Sequence, residues 1–490
     1  MAAKQILVID EGTTSTRAML FGANGKLHGS QQEELQQYHP AAGLVEHDPV
    51  EIWDKTLRCC QKIVEQAGGA EKIAAIGITN QRETIVAWDK RTGEPLCNAI
   101  VWQDRRTADM CNSLKAKNLE PMVQSKTGLL LDPYFSGSKI NWMLQNWPKV
   151  AAAGDNLAFG TIDSYLIVRL TEGDHITDAS NASRTMLMSL DGRDWDDELL
   201  KLFSIPRETL PKIVDCAGNL GKTSARLFGA PIAICGSAGD QQAATIGQGC
   251  LKKGQTKATF GTGAFILTNN GGKPPRSTHR LLSTVLYQLD GKRTYALEGS
   301  VFVAGSLMQW LRDDVGLISY AGESEELARS IQDNGGVYLV PALSGLGAPY
   351  WKADATATIT GLSFSTTKAH IVRAALEAMA HQCSDLKIAF SADGTDWQSL
   401  RIDGGMVAND WMVQDLADML NLTVERPEFF ETTALGAAML AAMGAGIYKS
   451  LEDASVMISG LETYEATIQP EQRNVRMAGW KKAIDGTLSN

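Results

Sequence analysis

At 490 residues, 44% hydrophobic and 21% charged, the chain has a globular composition that excludes a wholly disordered protein; its length predicts about three domains, or two large ones. A formal charge of −10 excludes a general affinity for nucleic acid or anionic membranes. Eight cysteines without a Cys-x-x-Cys pair read as reduced, cytosolic thiols, and seven scattered histidines form no zinc motif.

Residues 5–9 read as a strand whose apolar run, Ile6 to Ile9, is too short for a signal peptide. Asp10-Glu11-Gly12-Thr13-Thr14-Ser15 reads as a turn, and Arg17 to Phe21 resumes an apolar run. Residues 49–66 carry Pro49 in a plausible first turn and Ile52, Trp53, Leu57, Ile63 and Val64 at helical spacing. A strand over Ile73 to Ile78 leads into the polar phrase Asn80-Gln81-Arg82-Glu83. Glycines 247, 249 and 254, with Lys252-Lys253, mark a boundary near 245–255, which divides the chain into domains 1–249 and 250–490.

Beyond it, Ala258 to Phe260 leads into Gly261-Thr262-Gly263 and a further strand over Ala264 to Leu267. Residues 302–313 and 368–390 have helical spacing. Leu400 to Ile402 leads into Asp403-Gly404-Gly405 and a helix over about 409–420. The alanine- and glycine-rich stretch 434–447 is below the ~20 residues of a membrane span and reads as a buried helix. Alternating strands and helices give an α/β class, and three strand-to-glycine turns suggest a duplicated unit.

No P-loop is present: Gly221-Lys222-Thr223 resembles the end of one, but Cys216 stands where its first glycine belongs, and no Gly-x-Gly-x-x-Gly follows a strand. The turn at 10–17 and that at 261–263 remain. Their backbone N–H groups and hydroxyls suit phosphate oxygens, and an acidic residue at a strand end suits Mg²⁺. Each turn taken alone is equally readable as a structural hairpin.

These phrases, together with Gly77-Ile78-Thr79-Asn80-Gln81-Arg82-Glu83-Thr84, Ile100-Val101-Trp102-Gln103, Asp132-Pro133-Tyr134-Phe135-Ser136-Gly137, Ala238-Gly239-Asp240-Gln241-Gln242 and Asp403-Gly404-Gly405, resemble the FGGY carbohydrate kinases of the actin, Hsp70 and hexokinase superfamily. The likeness runs in order from residue 5 to about 485. It implies two ribonuclease H-like, actin-like ATPase domains with an active-site cleft between them, ATP and Mg²⁺ as cofactors, a cytoplasmic enzyme, and a homo-oligomer, dimer or tetramer. The Arg-Glu-Thr phrase is similar to that of members acting on glycerol, which implies glycerol as the substrate.

By the same resemblance, Asp240 is the general base; read by itself it is as well a helix N-cap. Arg82 and Glu83 are implied to donate to and accept from polyol hydroxyls, with Trp102, Tyr134, Gln241 and Phe265 around the polyol. Thr13, Thr14, Ser15, Arg17 and Thr262 are implied at the nucleotide phosphates, Gln309, Gly405 and Asn409 along the nucleotide, and Asp10 beside Mg²⁺. Glu11 departs from the family's usual Gln, and a carboxylate there is unfavourable near phosphates unless it points away or sits by the metal. Residues 222–231 depart from the loop at which some bacterial relatives bind fructose 1,6-bisphosphate, so that regulation is not expected. The rival readings are a pentulose or dihydroxyacetone kinase and an actin- or Hsp70-like ATPase; the second is disfavoured because two lobes consume the chain.

Overall fold

Every residue of Ile6-Leu7-Val8-Ile9 is apolar because both faces of the strand they form are covered. A computed structural model, which describes residues 5–352, 354–429 and 431–489, places them in β1 (Gln5–Glu11). Leu7 and Ile9 pack in one cluster, Ile6 and Val8 in another on the opposite face. β1 pairs antiparallel with β2 (Ser15–Gly22), which pairs with the edge strand β3 (Leu27–Glu34). Helix α1 (Pro49–Gln66) begins at an Asp48 cap, whose carboxylate accepts from Val50 N at 2.9 Å, and buries Ile52, Trp53, Cys59, Cys60, Ile63 and Val64. β4 (Ile73–Asn80) and β5 (Ile234–Gly239) then add in parallel to complete a five-stranded sheet, order β5-β4-β1-β2-β3. Helix α2 (Asp240–Gly247) follows β5 directly.

The second half repeats the plan. β6 (Gln255–Phe260), β7 (Ala264–Gly271), β8 (Leu282–Leu289) and β9 (Lys292–Val301) are joined antiparallel; helices α3 (Gly305–Asp313) and α4 (Lys368–Ala392) follow. β10 (Ser399–Asp403) lies parallel to β6, helix α5 (Asp410–Leu420) follows it, and β11 (Val424–Pro427) lies parallel to β10. With the edge strand at Leu461–Tyr464 the sheet has seven strands, order β8-β9-β7-β6-β10-β11-edge. Both sheets therefore open with an antiparallel meander whose first strand gains parallel neighbours: this is the duplicated α/β unit suggested by the three glycine turns, in the ribonuclease H-like form that the family resemblance implies. A further four-stranded sheet, built from Glu46–His47, Ala99–Ile100, Ile85–Asp89 and Leu157–Thr161, was not foreseen.

Helix α6 (Thr432–Gly444) lies late in the chain but packs on α2 and on β5, β4 and β1 of the first sheet. Its alanine and glycine content follows from how closely backbones meet there. A Cβ added at Gly436 would stand 1.8 Å from Ala243 O, and one at Gly247 would stand 1.9 Å from Thr432 O. Among the described residues no helix is long and apolar enough to cross a membrane. The eight cysteines are free thiols.

Candidate functional site

The first glycine turn is tighter than the sequence suggests. β1 runs through Glu11 and β2 starts at Ser15, so Gly12, Thr13 and Thr14 make the reversal, closed by Gly12 N donating to Ser15 O at 3.0 Å. Strand alternation sends Asp10 and Glu11 to opposite faces. Asp10 sits opposite Arg17 in register and pairs with its guanidinium; Arg17 Nη1 also lies 2.6 Å from Glu431 Oε2. Burial raises the Asp10 carboxyl above its usual range against the pull of Arg17. Glu11 points away from the turn. Its Oε2 accepts from Thr56 Oγ1 of α1 at 2.9 Å, Thr56 meets Thr16 at 3.0 Å, and Glu11 Oε1 is buried without a hydrogen-bond partner among the described residues. Burial pushes this carboxyl up to about 8, so at neutral pH it is an uncharged acid, nearer in character to the family's Gln than a carboxylate would be.

The second and third turns face each other across a cavity of about 300 Å³ in the second half of the chain. Gly261, Thr262, Gln309, Gly405 and Asn409 line it, with Met308 and Met406 as apolar wall. Thr262, Gln309, Gly405 and Asn409 thus come together, although up to 147 positions separate them in the chain. Asn409 has a local duty as well: its Oδ1 caps α5 by accepting from Met412 N at 2.9 Å, and its Nδ2 donates to Ser324 Oγ at 3.2 Å. Gly404 is at φ +97°, and a Cβ there would stand 2.3 Å from Phe260 O, so this turn requires glycine.

Between the two halves lies a network of buried charges. Arg82 is 3% exposed. Its Nη1 donates to Glu298 Oε2 at 2.7 Å, its Nη2 to Glu298 Oε1 at 3.1 Å, and its Nε lies 3.1 Å from Asp240 Oδ1. Arg184 Nε donates to Glu83 Oε1 at 2.6 Å, and its Nη2 reaches Glu298 at 3.4 Å. Burial alone would raise the Glu298 carboxyl, but the guanidiniums of Arg184 and Arg82 outweigh it and hold it at about 2.

Asp240 is not the N-cap of α2: Gly239 takes that position and Asp240 is the first helical residue. A third of its side chain is open. Burial still raises its carboxyl above the usual range, with Arg82 and Lys257 opposing. Lys257, fully buried on β6, donates to Gln241 Oε1 and, at 2.9 Å, to Thr259 Oγ1. Burial lowers its ammonium to about 8 against the attraction of Asp403 and Asp240.

Glu83 has a left-handed backbone (φ 63°), which a non-glycine residue adopts only when its surroundings hold it. Here Ser136 Oγ and Lys139 Nζ donate to its carbonyl at 3.0 and 3.3 Å, and Lys139 also donates to Tyr134 O at 2.6 Å. Tyr134 and Trp102 meet edge to face at 5.6 Å, and Arg82 Nη2 reaches Tyr134 Oη at 3.5 Å. Phe265 is half-buried on β7 opposite Ser300, one pair along the same face from Leu267 and Glu298. Thr14 is exposed at the tip of the first turn, with Thr13 and Ser15 half-buried beside it. Glu298, Arg184, Lys257 and Lys139 escaped the sequence reading. The legible signal was a lone carboxylate in Tyr295-Ala296-Leu297-Glu298, an otherwise apolar strand segment.

Two ribonuclease H-like lobes with glycine turns at their strand ends, and a partly open carboxylate beside a fixed arginine, define the sugar-kinase class of actin-like ATPases. The chain belongs to the FGGY family of carbohydrate kinases, matching its N-terminal domain over residues 5–247 and its C-terminal domain over 256–445. It is 51% identical to the glycerol kinase of Methylobacterium nodulans over 487 residues, covering 98% of this chain and 97% of that one. It is also 51% identical to glycerol kinase 1 of Pseudomonas aeruginosa over 483 residues, with 98% of each covered. Among solved structures, Plasmodium falciparum glycerol kinase with ADP superposes with a TM-score of 0.95 at 36% identity, covering 99% of this chain and 98% of that one. A gluconate kinase from Lactobacillus acidophilus, at 23% identity and a TM-score of 0.89, shares the fold.

Proposed function

We propose that this chain transfers the γ-phosphoryl group of ATP to a terminal hydroxyl of glycerol, giving sn-glycerol 3-phosphate and ADP. The observation that carries the reading is the Asp240–Arg82–Glu298 junction: a partly open carboxylate and a polyol-type donor held together where the two halves meet. Full-length relatives at about half identity that bear the name glycerol kinase support the choice of triol over ketose.

In this reading Asp240 accepts the hydroxyl proton as the oxygen bonds to phosphorus and ADP departs with the bridging oxygen. A carboxylate suffices because the transition state is loose and the proton moves late. Burial, and to a lesser extent the nearby Asp10, make Asp240 more basic than a free aspartate, with Arg82 and Lys257 opposing the shift. Arg82 donates to one substrate hydroxyl, Glu83 accepts from another, and Trp102, Tyr134 and Phe265 cover the carbon edges, with Gln241 beside the base. Thr13, Thr14, Ser15, Arg17 and Thr262 hold the phosphates, and Gln309, Gly405 and Asn409 hold the rest of the nucleotide.

Asp10 is the residue that would hold Mg²⁺. A single buried carboxylate suits a small cation that keeps several waters and takes its other ligands from phosphate, and Arg17 is already present to share the charge. Bound with the triphosphate, the cation supplies neutralisation of the phosphate charge. Residues 1–249 would form the polyol side and 250–490 the nucleotide side, in a reduced cytoplasmic enzyme that self-associates, a point sedimentation would check.

The deciding experiment is a panel assay of ADP release with glycerol, dihydroxyacetone, xylulose, ribulose and gluconate at saturating MgATP. Glycerol is expected to be the preferred acceptor. Faster turnover of a ketose, or ADP release indifferent to any acceptor, would overturn the proposal.

A further inference from the structure

Arg82 is asked to do two things, and its geometry depends on a third residue. It lies in the first half of the chain, whereas Glu298 lies on β9 of the second, 216 positions away. Both are 3% exposed or less. A guanidinium offers five N–H donors in one rigid plane. Glu298 engages both Nη atoms in a fork, at 2.7 and 3.1 Å, which fixes the plane. With the plane fixed, Nε faces Asp240 and Nη2 also reaches Tyr134 Oη at 3.5 Å. Arg184 braces the arrangement from behind, bonding Glu83 with Nε and reaching Glu298 with Nη2.

Packing alone does not account for such a group, since buried ion clusters are often replaceable by apolar side chains without loss of stability. What a carboxylate at position 298 does, and an apolar residue does not, is set the rotation of Arg82. We propose that Glu298 is a positioning residue for glycerol: reaching from the nucleotide-bearing half of the chain, it orients Arg82 so that an in-plane N–H of Nη2 meets a substrate hydroxyl while Nε stays against Asp240. This rests on the glycerol kinase reading above.

The test is Glu298→Gln, which keeps the shape but replaces the fork with one amide oxygen and an N–H₂ turned toward a cation. Two guanidiniums then face each other without their shared carboxylate, and Arg82 rotates. A displacement of the order of 1 Å in a substrate contact lowers kcat by about 100-fold. KM for glycerol is expected to rise about tenfold, as for a lost charged hydrogen bond, while KM for MgATP and ADP affinity stay within about twofold. Glu298→Asp keeps the charge and is expected to recover most of the glycerol KM. Equal losses in the glycerol and nucleotide parameters, or a glycerol KM unchanged in both variants, would overturn the inference; if the glutamine variant does not fold, Glu298→Asp, whose shorter reach pulls on the same fork, is expected to raise the glycerol KM alone by a smaller factor, and any other pattern overturns it. Wild-type enzyme that ignores glycerol sinks the parent reading instead, so the two failures are told apart.

Discussion

The indole Nε1–H of Trp102 donates to Thr13 Oγ1 at 2.9 Å. In the proposed function one partner belongs to the aromatic group around the polyol and the other to the glycine turn at the phosphates, so the bond would link the two subsites. Trp102 also meets Tyr134 edge to face. We predict that Trp102→Phe, which keeps a ring but removes the donor, lowers kcat/KM for glycerol about fivefold and raises KM for MgATP by a similar factor, the size of one neutral hydrogen bond. Steady-state kinetics in both substrates would check this; a change confined to glycerol would mean that the bond does not link the subsites.

Asp240→Asn keeps the side-chain volume and removes the proposed base. Arg82 retains Glu298 as its main partner, so the fold is expected to survive. Turnover should fall about 1,000-fold, within the range for a lost general base, with ADP affinity changed less than about twofold. Turnover near the wild-type rate would remove Asp240 from the mechanism.

Local chemistry made much of this legible. The glycine turns at 12, 261 and 404 follow short apolar runs, and α1 carries its start signal in Asp48 and Pro49. The helix expected at 302–313 begins at Gly305 because Phe302 to Ala304 still form the exit from β9. The unread part was long-range. Nothing near Glu298 announces that its partners are Arg82 and Arg184, because pairing across the cleft is set by the fold and not by neighbouring residues. Likewise the small residues of α6 announce burial, but not that the partner surface is a sheet formed more than 190 positions earlier.

Arg17 is engaged by Glu431 as well as Asp10. In the proposed function, nucleotide phosphates would compete with Glu431 for this guanidinium. Because both side chains of that pair are partly exposed, the pair contributes at most ~1 kcal/mol. Glu431→Ala is therefore predicted to lower KM for MgATP by up to about fivefold at low ionic strength, and by less in 0.5 M salt as screening shortens to a few ångströms. A rise in KM would show that Glu431 helps the nucleotide.

The contact of α6 with α2 depends on missing side chains. Gly436→Ala would put a methyl group 1.8 Å from Ala243 O, so the helices must separate. Overpacking of this kind costs about 1–3 kcal/mol, and we predict a Tm lower by several degrees. Gly486→Ala, in the last helix with open space around it, is the control: it should leave Tm unchanged or raise it, by up to ~1 kcal/mol of helix propensity. Similar losses in both variants would refute the packing argument.

Glu11 offers a test by pH. Its carboxyl is held at about 8 by burial, against an ordinary value near 4.5. Between those values the folded state keeps a proton that the unfolded chain has released, so stability falls as pH rises through the window, by at most about 5 kcal/mol above pH 8. Glu11→Gln removes the ionisation while keeping the shape and supplies a donor for the oxygen-rich Thr16–Thr56 site. The two proteins should melt at similar temperatures near pH 5, and the glutamine variant should melt progressively higher from pH 6 to 9. Lys139 and His47, whose burial lowers them to about 7 and about 4, titrate alike in both proteins and cancel in the difference. A Tm gap independent of pH would mean that Glu11 is ionised in the folded protein, with water or a cation at its unpartnered oxygen.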